Sequence, residues 1–148
     1  MKKLGILLVL VGILVYWQWS KREESVHYHA GFTVYVNGEK QDYSDWRYMH
    51  LELCTDGQEQ HEDEQIEKAH LHDGVGDVVH VHRTGAKWGD LFENIGVKLA
   101  EEPAILQQAV EPNSSVIIMI GQSVANPEKV TIEHIQDVEA KSELCGSN

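Results

Sequence analysis

Polar and apolar residues alternate through the first part of the chain in runs that are typical of β-strands. VHYHAGFTVYV leads into Asn37-Gly38 and a short return segment, and Asn-Gly between β-prone runs is a strong hairpin signal because both residues tolerate a positive φ. WRYMHLELC alternates well enough for another strand, and KAHLHDGVGDVVHVH places two runs around a Gly/Asp turn. The pattern predicts two hairpins with a strand between them.

The period changes after the second hairpin. In KWGDLFENIG the apolar residues Trp88, Leu91, Phe92 and Ile95 recur on one helix face, and Gly96 suits a left-handed C-terminal cap. SSVIIMIG is a continuous apolar run, which predicts a central strand buried on both faces. EKVTIEHIQDVEAKSE is ambiguous, and we expect a strand followed by a frayed helix.

This order of elements predicts an α+β domain in which one helix packs against a mixed β-sheet. A β-grasp-like arrangement is the specific fold that we expect, with an all-β sandwich as the alternative. A chain of 148 residues is long enough for one domain and an anchor. We place a transmembrane anchor at residues 1–22, a linker at 23–25, the domain at 26–138 and a tail at 139–148.

The anchor is predicted from an uncharged, mostly apolar run that extends from Leu4 to Trp19 between two basic pairs. As a helix this run rises about 24 Å, less than the ~30 Å hydrocarbon core, so it spans a bilayer only if the basic side chains snorkel or the bilayer thins. A cleaved signal peptide is the alternative, but YWQWSKREES offers no A-x-A-like site. We expect a single-pass membrane protein whose C-terminal domain is extracytoplasmic.

The rest of the chain is strongly acidic, with 24 acidic and 8 basic residues after Arg22. Such a domain repels phosphate backbones and favours cations, so nucleic-acid binding is excluded as a function. The same charge also keeps a domain soluble. Cys54 and Cys145 are the only cysteines, and a disulfide and two free thiols both remain open.

Histidine is the residue type that carries candidate chemistry. Six of the nine histidines form three His-x-His pairs, which are His27 with His29, His70 with His72, and His80 with His82. In a strand, residues i and i+2 lie on one face about 6 to 7 Å apart, so each pair can direct two imidazoles at one ion. Three pairs in a small acidic domain predict a transition-metal site.

The second hairpin predicts which of these histidines lie close together. If DGVGD is a five-residue loop between antiparallel strands, His70 lies opposite His80 and all four histidines of the hairpin share one face. We predict His70, His80 and His82 as the core of the site, with His27 or His29 contributing from the first strand. His72 is the less expected ligand.

Ligation by histidine alone indicates zinc or type-2-like copper(II), because a blue-copper centre needs a suitably placed cysteine. We expect the ion to be bound for sequestration, delivery or structural support. Three histidines and a water would also be catalytic geometry, so a metal-dependent enzyme is an alternative, although H-E-x-x-H is absent. A metal-free, pH-responsive interaction module is a third possibility.

HYHAGFTVYVNGEKQDYS together with HLHDGVGDVVHVHRTGAKWGDLF resembles an uncharacterised family of small, N-terminally anchored extracytoplasmic proteins from bacteria of reduced genome. It is also similar to histidine-bearing domains of archaeal membrane proteins, some of them linked to thiol-disulfide chemistry. The resemblance covers most of residues 26–96. It implies a histidine site without an assigned activity, with His72 outside the motif that the other five histidines match.

Overall fold

The computed structural model describes residues 25–50 and 65–141. The predicted anchor, both cysteines and most of the acidic loop lie outside these residues. Within them, no helix has the length and apolar character needed to cross a membrane.

Four strands form one mixed sheet that is organised around the first of them. Their bounds are Ser25–Val36 for β1, Glu39–Lys40 for β2, Val78–Arg83 for β3 and Ser115–Ile120 for β4. β2 and β3 pair with β1 in antiparallel orientation, and β4 pairs with it in parallel. The 12 residues of β1 make it long enough for three neighbours.

The backbone hydrogen bonds of β1 show which strands lie along each of its two edges. Gly31 N–H donates to Ser114 on the β4 side, whereas Phe32 N–H donates to the Asp77 carbonyl just before β3. Consecutive residues of a strand point to opposite edges. β4 therefore lies along one edge of β1, and β3 and β2 follow one another along the other.

Two helices pack against this sheet. Helix α1 spans Trp88–Asn94 and helix α2 spans Ile132–Lys141. The predicted apolar face of α1 is buried, and Gly96 has the positive φ of 68° that its role as a cap requires. The Asp90 carboxylate accepts a hydrogen bond of 2.8 Å from the Lys87 N–H and so satisfies a free donor at the start of α1.

The two faces of the sheet have different surroundings. On one face the main core joins Phe32 of β1 and Val79 of β3 to α1. On the other face Val78 packs with Ile135 and Val138 of α2. Because side chains alternate along a strand, this second face also carries the residues at positions 80, 82, 27 and 29. Helix α2 thus covers one end of the histidine-bearing face.

The structure confirms an α+β fold with a mixed sheet. In residues 25–50 and 65–141 the four strands belong to one sheet, so this part of the chain does not form the alternative sandwich. Several details differ from the prediction. β4 is not the central strand: among the described strands it pairs only with β1, and within β4 only Ile118 and Ile120 are buried. WRYMHLELC is not a strand where it is described, because Trp46–Tyr48 form a 3-10 turn.

The C-terminal segment also differs from the expected strand and frayed helix. Helix α2 is ordered from Ile132 and continues to Lys141, beyond the predicted domain end at residue 138. The β-branched residues of KVTI favour a strand locally. The helix forms instead because Ile135 and Val138, three residues apart, meet Val78 on one side.

Gly31 permits the close approach of the segment before α2 to β1. A Cβ added at this position would lie 2.6 Å from the Val130 Cβ and 3.2 Å from the Ile135 Cδ1. We expect Gly31→Ala to lower the free energy of unfolding by about 1 to 3 kcal/mol, as overpacking typically does. Urea denaturation measures the change, and a value within about 0.5 kcal/mol of the wild type would contradict this packing.

Candidate metal centre

Three segments bring the histidine pairs together on one face of the sheet. β1 supplies His27 and His29, β3 supplies His80 and His82, and the segment after the 3-10 turn Ile66–Lys68 supplies His70 and His72. His29 is the direct cross-strand partner of His80 in the register between β1 and β3. The sheet thus places the first-strand pair beside the pair on β3.

The register of the second hairpin is confirmed. His70 N–H donates to the His80 carbonyl at 3.0 Å, and His80 N–H donates to the His70 carbonyl at 2.9 Å. Asp73 and Gly74 have φ values of 59° and 71°, as a type I′ turn requires. These two hydrogen bonds place His70 opposite His80, and the turn begins the loop between the two arms. The first arm of the hairpin is an isolated bridge and not a full strand.

His80 lies at the centre of the cluster and is fully buried, with 0% exposure. Its Nδ1 is 2.7 Å from the Nε2 of His29 and 2.7 Å from the Nε2 of His72. A neutral imidazole nitrogen carries either one proton or one lone pair, so His80 Nδ1 cannot satisfy both neighbours fully. The two contacts to His80 Nδ1 therefore cannot both be full hydrogen bonds.

The ring positions indicate crowding at this point. The ring centroid of His80 is 3.9 Å from that of His29 and 3.4 Å from that of His72. A straight N–H···N hydrogen bond of this length would hold the centroids about 5 Å apart. Neither contact is therefore a well-aligned hydrogen bond, and a cation would satisfy these nitrogens better.

His27 completes a group that could hold a metal ion. One ring nitrogen from each of His27, His29 and His80 lies within 4.8 Å of the others. Two nitrogens on one tetrahedral zinc are about 3.3 Å apart, so modest ring rotations would bring all three onto an ion. His29 and His80 are buried and His27 is exposed, so the group opens to solvent at His27.

The outer nitrogens of several histidines have acceptors that fix the tautomer. His72 Nδ1 donates to the Asp73 carboxylate at 2.6 Å, and His70 Nδ1 donates to the Ile66 carbonyl at 3.1 Å. The Nε2 of each ring is then the unprotonated nitrogen. His29 Nδ1 lies 4.0 Å from a carboxylate oxygen of Glu139 on α2. Carboxylates in this outer position are typical of metal-binding histidines.

Asp73 provides a direct test of this arrangement. We expect Asp73→Asn to weaken metal affinity by about tenfold or more, because the Asp73 carboxylate orients His72, whose Nε2 contacts His80 Nδ1, and a neutral amide holds that imidazole less firmly. Asparagine tolerates the positive φ at this position, so the turn should be preserved. Chelator-competition titration measures the affinity.

The matched control is Asp77→Asn, since Asp77 contacts His134 at 3.1 Å and not the cluster. Equal affinities in the two variants would mean that the Asp73 carboxylate does not support the site.

Burial keeps the clustered histidines neutral. It lowers the pKa of His29 and of His82 to about 4 and that of His70 to about 3, and the neighbouring histidines act in the same direction. The pKa of His80 falls furthest, and that of His72 is lowered by burial against the opposing effect of Asp73. Neutral imidazole is the form that binds metal ions.

The structure places all six predicted histidines on one face, but the three that lie closest together differ from the predicted core of His70, His80 and His82. The closest group is His27, His29 and His80, and His72 touches His80 although it was the less expected ligand. The His70 and His80 rings are stacked with centroids 6.0 Å apart. His82 stacks between His70 and His27 at 5.1 and 5.0 Å.

Sequence reasoning missed three contributors to the cluster. The His50 ring lies 5.3 Å from that of His70, and Asp73 and Glu139 approach ring nitrogens. Asp73 follows a His-x-His pair directly, and this adjacency was an available signal. His50 and Glu139 are brought in by tertiary packing, which no local pattern indicates.

Comparisons of the chain with protein-family models, with curated proteins and with solved structures found no match. The functional argument therefore rests on the site itself. An all-imidazole donor set beside acidic side chains can bind a divalent transition-metal ion and exclude hard cations, which prefer oxygen ligands.

Proposed function

We propose that this chain binds a transition-metal ion through His27, His29 and His80, with His72 adjoining the site. The observation that carries the proposal is the contact of the buried His80 Nδ1 with two further imidazole nitrogens at 2.7 Å. Burial of so many polar nitrogens is costly unless a partner satisfies them. Neutral imidazole ligands favour zinc or copper(II).

We propose that the ion is held for sequestration, delivery or structural support. Two of the three closest ligands are buried, which favours retention, and the exposed His27 offers a route by which an ion enters or leaves. The nearest carboxylates, Asp73 and Glu139, already face ring nitrogens. A metal-dependent enzyme would require one of them to serve as a base, so binding is the better-supported role.

We also propose that the domain is displayed outside the cytoplasm on a membrane anchor. This rests on the apolar run from Leu4 to Trp19 between two basic pairs. Retention of the chain in membranes after a high-salt wash tests this proposal.

The parallel pairing of β1 with β4 beside a β-hairpin supports a variant of the β-grasp arrangement.

Metal analysis of the full-length protein tests the proposed function. The protein should be purified without a polyhistidine tag, loaded with zinc or copper(II), dialysed and analysed for bound metal. We expect at least one retained ion per chain, lost on His80→Leu and kept on His134→Gln, a control on the exposed part of α2. No retained ion and no thermal shift with either metal would overturn the proposal.

The pH-responsive interaction module is the second candidate, and the close packing of the His80 ring with those of His29 and His72 favours it. Protonation of adjacent imidazoles would create mutual repulsion and open the face. Metal analysis separates the two functions, because a module of this kind retains no ion at neutral pH.

A further inference from the structure

The proposed site uses one part of a longer row of histidines. Beyond it, the ring of His82 lies between those of His27 and His70, with nearly parallel planes at 20° and 5°. Neither His70 nor His82 is among the three residues that form the closest group. These two rings therefore need a separate explanation.

Buried nitrogens on this side of His80 have no hydrogen-bond partner among the described residues. They are the Nε2 of His80 and the Nε2 of His82. His80 is completely buried, so water cannot compensate for the missing partner. His70 contributes a third nitrogen, since its Nδ1 donates to Ile66 and its Nε2 keeps the lone pair.

The ring separations suit coordination of a second ion. The His70 centroid lies 5.1 Å from that of His82 and 6.0 Å from that of His80. Three imidazoles on one tetrahedral ion hold their centroids about 5.2 Å apart. Rotation of rings already on one face could therefore direct three nitrogens at a common point.

We propose that the cluster binds two transition-metal ions and that His80 bridges them, with Nδ1 on the first ion and Nε2 on the second. His70 and His82 complete the second site. This proposal rests on the proposed function, because the first ion occupies the site already described. The bridge requires His80 to lose its one ring proton to solvent, which leaves an imidazolate that two cations stabilise.

Copper(II) titration of the full-length, tag-free protein tests this inference. We expect two tightly bound ions per chain and a weakened copper EPR signal at full loading, because an imidazolate bridge couples the two spins antiferromagnetically. His82→Gln should reduce the stoichiometry to one and restore a single uncoupled copper spectrum. His70→Gln provides an independent variant of the same site, and His134→Gln should leave both results unchanged.

The outcomes separate this inference from the proposed function. One ion in the wild-type protein overturns the second site and leaves the first intact. Two ions with uncoupled spectra overturn the bridge. Two ions retained in both His82→Gln and His70→Gln overturn the assignment of those ligands, and no bound ion overturns the proposed function as well.

Discussion

Zinc or copper(II) at 1,000 times its dissociation constant should raise the free energy of unfolding by about 4 kcal/mol, and His80→Leu should abolish this gain. For a domain of this size the gain corresponds to an increase of about 10 to 20 °C in Tm. The effect is large because the ion binds only to the arrangement of rings that folding creates. Calorimetric melts with and without the ion measure it.

Leucine is the informative substitution because His80 is fully buried and its Nε2 has no partner among the described residues. Leucine removes the ligand and this unsatisfied nitrogen while keeping much of the side-chain volume. The metal-free variant should therefore be at least as stable as the metal-free wild type. A metal-dependent increase that survives in His80→Leu would place the ion elsewhere.

Local pattern was sufficient for elements whose partners are close in sequence. The spacing of Trp88, Leu91 and Phe92 predicted α1, and a five-residue DGVGD loop predicted the pairing of His70 with His80. In both cases the decisive contacts lie within about two helical turns or one hairpin. The period and the turn chemistry then determine which face each side chain occupies.

The remaining features depend on contacts that local pattern does not encode. His29 and His80 are 51 residues apart, and their contact requires β1 to pair with β3. The same long pairing makes β1 the central strand and leaves the more apolar β4 with β1 as its neighbour. Glu139 reaches His29 only because α2 docks over Val78.

Helix α2 links the fold to the chemistry of the site. Its apolar side chains Ile135 and Val138 cover one end of the histidine face, and Glu139 on the next turn approaches the outer nitrogen of His29. The packing that orders the helix thus brings a carboxylate to a ligand. A substitution that undocks α2, such as Gly31→Ala, is therefore expected to weaken the site as well as the fold.

Acidification should unfold the metal-free protein between about pH 6.5 and pH 4, and the loss of stability should begin above the range in which carboxylates titrate. Burial lowers the pKa of His29 and His82 to about 4 and that of His70 to about 3, from 6.5 in an exposed histidine. Between these values the unfolded chain binds protons that the folded chain does not. Stability is therefore complete above pH 6.5 and falls as the pH decreases.

Each such histidine contributes a slope of about 1.4 kcal/mol per pH unit, so three contribute about 4 kcal/mol per unit. A domain with a stability of about 5 to 15 kcal/mol loses most or all of it across this window. Urea denaturation at a series of pH values measures the slope. The slope should become smaller in His82→Gln, because this variant removes one of the buried histidines. A stability that stays constant from pH 7 to pH 5 would show that the folded cluster accepts protons, which its burial is expected to prevent.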